Sequence, residues 1–572
     1  MAASARRRQA NRRIRLLLAV LAVAFGAALM RAAWLQVVQA PHLSALAEGL
    51  HHEVVQTPAG RGTIFDRTGV PLAIGEQTTT VFADPRQVRN PRAVALAAHE
   101  IFGVSANELY PRLLDRRSRF VYLQRFADPA KAEQLAKRNL AGVGFYPEQR
   151  RTYPQGTVAP QVIGYAGVDN TGLEGLEFAY NKSLAGRTGR ETIVRDPVGR
   201  AIDVLSSTPE VEGQDVFTTI DHTIQANAEQ VLRQTVSRWG AKYAVAIVLD
   251  PKTGDVLAMA QAPGYDANRS NAVPLALQRN RAVTDTYEPG STFKLVTVTG
   301  ALSEGLVTPS TRFTLPYSIR VADRVVHDAE PRPTETMTVA QILQRSSNVG
   351  AITLAEKLGS VQLMKWIERL GFGRPTGIDF PGESPGEVLP LDRWSGSTIG
   401  NVPIGQGIAV TPIQMASVYA AVANGGVWIQ PHLVDRVGDH PPSRWARRRL
   451  ISPAVNAKVK TMLTGVVANV GATGTAAAIP GYSVAGKTGT AQKPNPRGGY
   501  SDTNFDATFV GMVPASNPRL VVLVMVDEPR GSIFGGVVAA PAFASIAKFD
   551  LQYLEIPPDD PASRTTLGVA SR

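Results

Sequence analysis

The start of the chain constrains it most. Arg6, Arg7, Arg8, Arg12, Arg13 and Arg15 precede an apolar run from Leu16 to Met30, and after Arg31 the apolar character continues to Val38. A helix needs roughly 20 apolar residues to cross the hydrocarbon core of a bilayer, so residues 16–38 suffice for one span. Arg31 can lift its guanidinium towards the interface, with Trp34 beside it. No Lys or Arg occurs from Ala32 to Gly60. The positive-inside rule therefore leaves residues 1–15 in the cytoplasm as a basic tail and puts everything after Val38 outside. A cleaved signal peptide is the rival reading, because a basic segment followed by an apolar one has the same pattern. Hydrophobicity that continues past Arg31, without a clean small-x-small site in a polar context, favours an uncleaved anchor. Both readings export the rest of the chain.

At 572 residues and 44% hydrophobic content, the exported part is too long for one ordinary domain and ample for a large core. The chain contains no cysteine, which excludes disulfides, thiolate nucleophiles and Cys-based zinc sites and suits an oxidising compartment. The six arginines before Leu16 supply half of the net charge of +12, so the exported part is only mildly basic and nucleic acid is not implied. Its densest cluster, Arg444, Arg447, Arg448 and Arg449, could meet an anionic wall or lipid, although a short basic run is more often a solvated face.

From His51 to Val211 the chain is rich in Gly, Pro and charged turns, with strand-like stretches at Glu53–Gln56 and Thr63–Phe65 and helical ones at Asn90–Phe102 and Ala130–Asn139. It reads as an extended mixed module. The composition then changes. Val216–Asp221 reads as a strand and His222–Arg238 as a helix, and Tyr243–Asp250 and Asp255–Gln261 form a hairpin around Pro251-Lys252-Thr253-Gly254. Tyr482–Gln492, Ala507–Val513 and Leu520–Val526 give three more strands, and the middle, Ser291 to Val467, is mainly helical. Thr338 with Gln341, and Thr411 with Pro412 and Gln414, mark two helix starts. The second helix stops at Gly425-Gly426. Strands from both ends with a helical middle predict one antiparallel sheet flanked by helices.

With no His-x-x-x-His, no phosphate-cradling Gly-rich loop and eight histidines in all, a metal or nucleotide mechanism has no support, and no metal or cofactor is expected. A serine mechanism without histidine remains. Ser291-Thr292-Phe293-Lys294 follows the breaker Glu288-Pro289-Gly290, so Ser291 and Lys294 are expected one turn apart on one helix face. A serine hydroxyl needs a neighbouring base, and a lysine serves when burial or nearby cations make it give up its proton near neutrality. The tetrapeptide alone is weak, since Ser545-Ile546-Ala547-Lys548 also matches and reads as part of a packing helix. Ser346-Ser347-Asn348 sits at a break between two apolar helical stretches and by itself reads as a plain turn. Lys487-Thr488-Gly489-Thr490 continues a strand, where Gly489 lets a substrate backbone lie close. Lys252-Thr253-Gly254 is the same tripeptide in a hairpin turn.

In order along the chain, Ser291-x-x-Lys294, Ser346-x-Asn348 and Lys487-Thr488-Gly489 resemble the signature of penicillin-binding proteins and serine β-lactamases. Arg61-Gly62 with Asp66-Arg67, Arg151-Thr152-Tyr153-Pro154 and Gly172 to Glu177 resemble the pedestal motifs of class B penicillin-binding proteins. The Asp250–Gly254 hairpin and Gly405-Gln406-Gly407 with Thr411-Pro412 resemble their transpeptidase domains. The resemblance implies an α+β penicillin-binding fold: a five-stranded antiparallel sheet flanked by helices, with a helical subdomain. It implies a transmembrane helix over 16–38, a dimerisation or pedestal domain over 50–211, a transpeptidase domain over 216–556 and a disordered tail over 557–572.

The roles it implies are a Ser291 nucleophile attacking the D-Ala-D-Ala bond of a peptidoglycan stem peptide, Lys294 as its base, and Ser346 and Asn348 as proton relay and stem-peptide contacts. Lys487 and Thr490 would bind the terminal carboxylate beside Thr488 and Gly489, and the N–H groups of Ser291 and Thr490 would form the oxyanion hole. β-Lactams would acylate the same serine. A β-lactamase needs neither anchor nor pedestal, and Glu288 and Glu335 offer no obvious base for deacylation. A catalytically silent scaffold is the non-enzymatic alternative. No segment resembles a glycosyltransferase, so glycan polymerisation would come from a multi-spanning partner among the division proteins. Val81-Phe82-Ala83-Asp84-Pro85, Lys487 to Lys493, Phe509-Val510-Gly511 and Val526-Asp527-Glu528-Pro529 resemble the septal rather than the elongation type, in the inner (plasma) membrane.

Overall fold

A computed structural model of the chain describes residues 2–42, 52–57, 59–195, 201–441, 444–495 and 498–560. They divide into two compact units, Met1–Ala59 with Gly186–Glu212, and Gly60–Ala185 with Gly213–Arg572. In the first unit a helix, Ala2–Ala33, runs on into a π-wound turn, Trp34–Val38. Leu17, Val23, Phe25 and Leu29 all stand exposed on it. An apolar helix without protein cover is one that lipid solvates better than water. Among the described residues it is the one helix long and apolar enough to cross a membrane. The unit also holds an antiparallel three-stranded sheet, His52–Thr57, Gly189–Arg195 and Ala201–Thr208.

In the second unit, Pro71–Ala83 pairs with Val121–Ala127 and Val143–Thr152. Three helices cover one face of this sheet, burying Val81, Val94, Ala98, Leu109, Leu113, Leu123 and Leu135. Local chemistry sets the helix starts: Asn90 accepts from the Ala93 N–H ahead of Pro91–Phe102, and Asp128 caps Pro129–Ala136. The pedestal-like motifs converge on one carboxylate. Glu177 pairs with Arg61 at 2.5 Å and Arg151 at 2.6 Å, with all three side chains at 2% exposure or less. These motifs are joints of the fold, because a buried charge persists only when paired. Asp66, Asp221 and His222 bring possible ligand atoms within 4.8 Å of one another. Their valences are already used: Asp66 accepts from Thr68, Val70 and His222, and Asp221 caps the helix His222–Trp239.

The larger sheet has five antiparallel strands in the order Val256–Ala262, Tyr243–Leu249, Leu520–Asp527, Tyr500–Val513, Ala485–Pro494. Side chains alternate between two cores, as the period of two requires. Ala244, Ala246, Val248, Val522 and Val524 pack with Ile224, Leu232, Phe543 and Ile546. Val245, Ile247, Val521 and Leu523 pack with Val298, Leu354, Tyr419 and Val459 of the helical middle. Burial on both faces is why these strands read as continuous apolar runs.

Both expected capping boxes form, Thr338 with Gln341 and Thr411 with Gln414. Three details differ from the sequence reading. The strand expected from Tyr482 starts at Ala485. The helical middle carries two small hairpins, Arg312–Leu315 with Glu335–Thr338 and Ser318–Val321 with Arg324–His327. The tail expected to lack order from 557 is held as far as Asp559, which accepts from the Ser483 N–H at 2.8 Å and the Ser516 hydroxyl at 2.5 Å. Residues 561–572 lie outside the described residues.

Candidate active site

Ser291 lies in a 3₁₀ turn, Gly290–Phe293, that feeds the helix Lys294–Ser303. Gly290 has φ +53°, and a Cβ there would sit 2.8 Å from the Thr490 carbonyl oxygen. Only glycine lets the turn lie against the Lys487 strand in that conformation. The Thr292 hydroxyl closes the turn on the Pro289 carbonyl at 2.7 Å, and the buried Tyr419 hydroxyl donates to the Thr292 carbonyl at 3.0 Å. Ser291 is half-buried, and no described residue hydrogen-bonds its hydroxyl.

Lys294 is fully buried. Its Nζ lies 2.5 Å from the Ser346 carbonyl, 2.7 Å from Asn348 Oδ1 and 3.3 Å from Ser346 Oγ. Lys487, also fully buried, donates to Ser346 Oγ at 2.9 Å and to the Thr488 carbonyl at 3.1 Å. The three motifs thus meet at one hydroxyl, Ser346 Oγ, set between two amines. Burial pushes Lys294 down to about 7, against a smaller opposing pull from Asp328. Burial and the neighbouring Lys294 hold Lys487 well below the ordinary lysine range. At neutral pH this pair carries fewer protons than two exposed lysines would.

Ser346 has φ +59°, a left-handed conformation that costs a non-glycine residue roughly 1–2 kcal/mol. Ser347 caps the helix Asn348–Leu358. Asp328, invisible to motif reading, accepts from the N–H groups of Asn348 at 2.5 Å and Val349 at 3.0 Å and pairs with Arg332 at 2.6 Å. Asn348 Nδ2 donates to the His327 carbonyl at 3.0 Å, which aims Oδ1 at Lys294. An Asp and an Arg four apart around Pro331 were the available signal for an ion-paired turn.

Thr488 Oγ1 is 2.8 Å from Thr473 Oγ1, and Thr490 Oγ1 accepts from the Gly535 N–H at 3.2 Å. A Cβ on Gly489 would come 3.0 Å from the Pro289 carbonyl, so this glycine also keeps strand and turn together. Of the two carboxylates considered as deacylation bases, Glu335 is ion-paired and Glu288 is engaged through one oxygen, its Oε2 being buried without a partner. Glu288 Oε1 accepts from the Gly407 N–H and the Tyr500 hydroxyl, and burial pushes the group up to about 7. Glu335 pairs with Arg345. The decoys are elsewhere: Lys252 lies exposed in a hairpin turn, and Ser545 and Lys548 lie exposed on the helix Gly535–Tyr553.

Residues 244–548 match the model of the penicillin-binding protein transpeptidase domain, and residues 56–218 match that of the penicillin-binding protein dimerisation domain. The chain is 34% identical to the peptidoglycan D,D-transpeptidase FtsI of Escherichia coli K12, over 94% of this chain and 91% of that one. It is equally identical to the probable peptidoglycan D,D-transpeptidase PenA of Neisseria gonorrhoeae, over 98% and 96%. The crystal structure of penicillin-binding protein 3 from Mycobacterium tuberculosis with aztreonam superposes with a TM-score of 0.71 at 31% identity, over 89% of this chain and 99% of that one. The fold, the paired domains and this similarity along nearly the whole length agree, and the chain belongs to the class B penicillin-binding proteins.

Proposed function

We propose that this protein is a peptidoglycan D,D-transpeptidase of the division septum, working through an acyl-enzyme on Ser291. The observation that carries the reading is the convergence of Lys294, Asn348 and Lys487 around Ser346, with Lys294 three residues after Ser291 at the start of the helix that its turn feeds. A Lys294 titrating near 7 takes the proton of Ser291 as Oγ attacks the carbonyl between the two D-alanines. The N–H groups of Ser291 and Thr490 receive the developing oxyanion. When the tetrahedral species collapses, the proton passes from Lys294 through Ser346 Oγ to the leaving amine of D-alanine, and the acyl ester remains. The amine of a neighbouring stem peptide returns a proton by the same route as it attacks, forming the cross-link and restoring the Ser291 hydroxyl. Lys487, with Thr488 and Thr490, binds the terminal carboxylate along the strand edge opened by Gly489. That anion restores the proton affinity which burial takes from Lys487.

Residues 16–38 anchor the protein in the inner membrane with residues 1–15 in the cytoplasm, as the arginine asymmetry supports. The multi-spanning glycan polymerase and other division proteins are its partners, met through the anchor and the pedestal. The test is to incubate the full-length protein with a stem pentapeptide donor and an amine acceptor. Release of D-alanine with one new amide bond per turnover is expected. Turnover retained in Ser291→Ala would refute the assignment. In cells, depletion yielding filaments supports the septal role, and depletion yielding rounded cells would replace it with elongation.

A further inference from the structure

The proposed mechanism leaves one buried acid beside the nucleophile without a task. Glu288 stands three residues before Ser291 and is 8% exposed. Its Oε1 accepts from the Gly407 N–H at 3.0 Å and the Tyr500 hydroxyl at 3.1 Å. Its Oε2 is buried and bonded to nothing, and among the described residues no cation pairs with the group. Burial therefore pushes it up to about 7, against the pull of those two hydrogen bonds. A buried carboxylate retained for its charge is normally paired. This one instead supplies a single acceptor oxygen to two donors.

The donors come from two segments packed around the Ser291 turn. Gly407 belongs to the loop Gly405-Gln406-Gly407, whose backbone lies against the turn. The Gly290 N–H donates to the Gly405 carbonyl at 3.0 Å, and a Cβ on Gly405 would come 2.1 Å from the Gly290 carbonyl oxygen. Tyr287 and Val410 exchange N–H···O bonds at 3.0 and 2.9 Å. Gly405 and Gly407 have φ +79° and +68°, and glycines are the residues whose own backbone fixes a conformation least. The bond from the Gly407 N–H to Glu288 supplies the missing restraint. Tyr500 lies opposite Pro494, at the far end of the strand Ala485–Pro494 that carries Lys487 and Thr490. Glu288 thus joins the turn to the loop by one bond and to the end of that strand pair by the other.

We propose that Glu288 is a positioning residue for acylation, whose Oε1 holds the Ser291 turn in register with the Gly405–Gly407 loop and the Lys487 strand. The inference rests on the Ser291 acyl-enzyme reading. In that reading the N–H groups of Ser291 and Thr490 converge on one developing oxyanion, and they belong to the turn and the strand that Glu288 helps to join. A misplacement of about 1 Å in such a site costs up to about 10²-fold in rate. Binding before the chemical step rests on the Lys487 strand, which keeps its ladder to Tyr500–Val513 whatever stands at 288. The effect therefore falls on the rate of acylation rather than on affinity.

The test is stopped-flow acylation of the full-length protein in neutral detergent by a chromogenic β-lactam, which separates the limiting rate from the half-saturating concentration. Glu288→Leu, which keeps bulk without an acceptor, is expected to lower the limiting rate about tenfold or more and to leave half-saturation within about threefold. Glu288→Gln keeps the acceptor and is expected to stay within about threefold of the parent in both. Tyr500→Phe, which removes one donor, is expected to lower the limiting rate about threefold in the parent and no further in Glu288→Leu, because its effect passes through Glu288. A Glu288→Leu protein that loses stability in urea but acylates at the parental rate would reduce the residue to a structural part and overturn the proposal. So would a Glu288→Gln as slow as Glu288→Leu, which would mean that the charge acts. A limiting rate untouched by Tyr500→Phe also overturns it, and that arm decides should Glu288→Leu fail to fold. A parent that takes no label on Ser291 would instead refute the acyl-enzyme reading itself.

Discussion

Replacing Asp328 by Asn perturbs the site through a residue that lies outside all three motifs. Its carboxylate accepts from the Asn348 and Val349 N–H groups and from the Ser347 hydroxyl, and it pairs with Arg332 at 2.6 Å. The Asp and Arg side chains are only 8% and 13% exposed, so this is a buried pair. Removing one partner of such a pair costs about 3–5 kcal/mol. Asparagine keeps the shape and one acceptor, which places the expected loss near the lower end, about 3 kcal/mol. The same substitution acts on the chemistry. Asp328 favours the protonated form of Lys294, whereas burial opposes it and brings the group to about 7. In the proposed mechanism acylation needs neutral Lys294, so in the parent its rate is expected to rise with pH through a midpoint near 7. Without the Asp328 charge the midpoint moves to lower pH. A displacement of about one unit, about 1.4 kcal/mol, raises the neutral fraction at pH 6 from about one-tenth to about one-half. Urea unfolding measures the first effect, and fluorescent-penicillin acylation across pH 5–9 measures the second. A midpoint that stays or moves upward, with under about 1 kcal/mol of lost stability, would refute the reasoning.

Lys294→Ala should abolish penicillin acylation, whereas Lys252→Ala and Lys548→Ala should leave it intact, as fluorescent labelling will show. Comparable loss in all three would mean that the motifs are wrongly assigned. Glu177→Ala leaves two guanidinium groups buried without their partner, and a loss of about 3–5 kcal/mol is expected in urea unfolding. A loss under about 1 kcal/mol would show that the joint is solvated. Gly290→Ala forces a Cβ into a left-handed position 2.8 Å from the Thr490 carbonyl oxygen. It should slow acylation at least about tenfold, given a strain of about 1–3 kcal/mol, and an unchanged rate would show that turn and strand separate freely.

How much could be read from the chain depended on the range of the interaction. The runs at Tyr243–Leu249 and Leu520–Asp527 are strands because both faces are buried, and an unbroken apolar run states that directly. The capping boxes at Thr338 and Thr411 are local hydrogen bonds and form as read. The turn at Ser291 was expected as α-helix. It is wound as 3₁₀ because Gly290 takes a positive φ and the Thr292 hydroxyl closes on Pro289. Asp328 could not be found from its neighbours, since the hairpin Ser318–Val321 with Arg324–His327 carries it to the start of the Asn348 helix. Glu288 looked unremarkable beside Pro289, and its titration near 7 arises from burial, against the downward pull of hydrogen bonds from Gly407 and Tyr500, which are distant in sequence. The basic run at Arg447 read as a solvated face, and Arg447, Arg448 and Arg449 stand exposed.

The central claim is an ester on Ser291 that waits for an amine. A hydrolase must activate water against that ester with a free base; here Glu335 is tied to Arg345, and Glu288 is held through Oε1 by Gly407 and Tyr500 with its Oε2 unpartnered, so the lifetime of the ester is what decides. Intact-mass spectrometry of the full-length protein, sampled over an hour after a pulse of penicillin and followed by peptide mapping, tests the claim most directly. The account predicts one adduct per chain, on Ser291, that persists for many minutes without accumulation of hydrolysed drug. An adduct on another residue, or rapid return of free protein with hydrolysed drug building up, would contradict it.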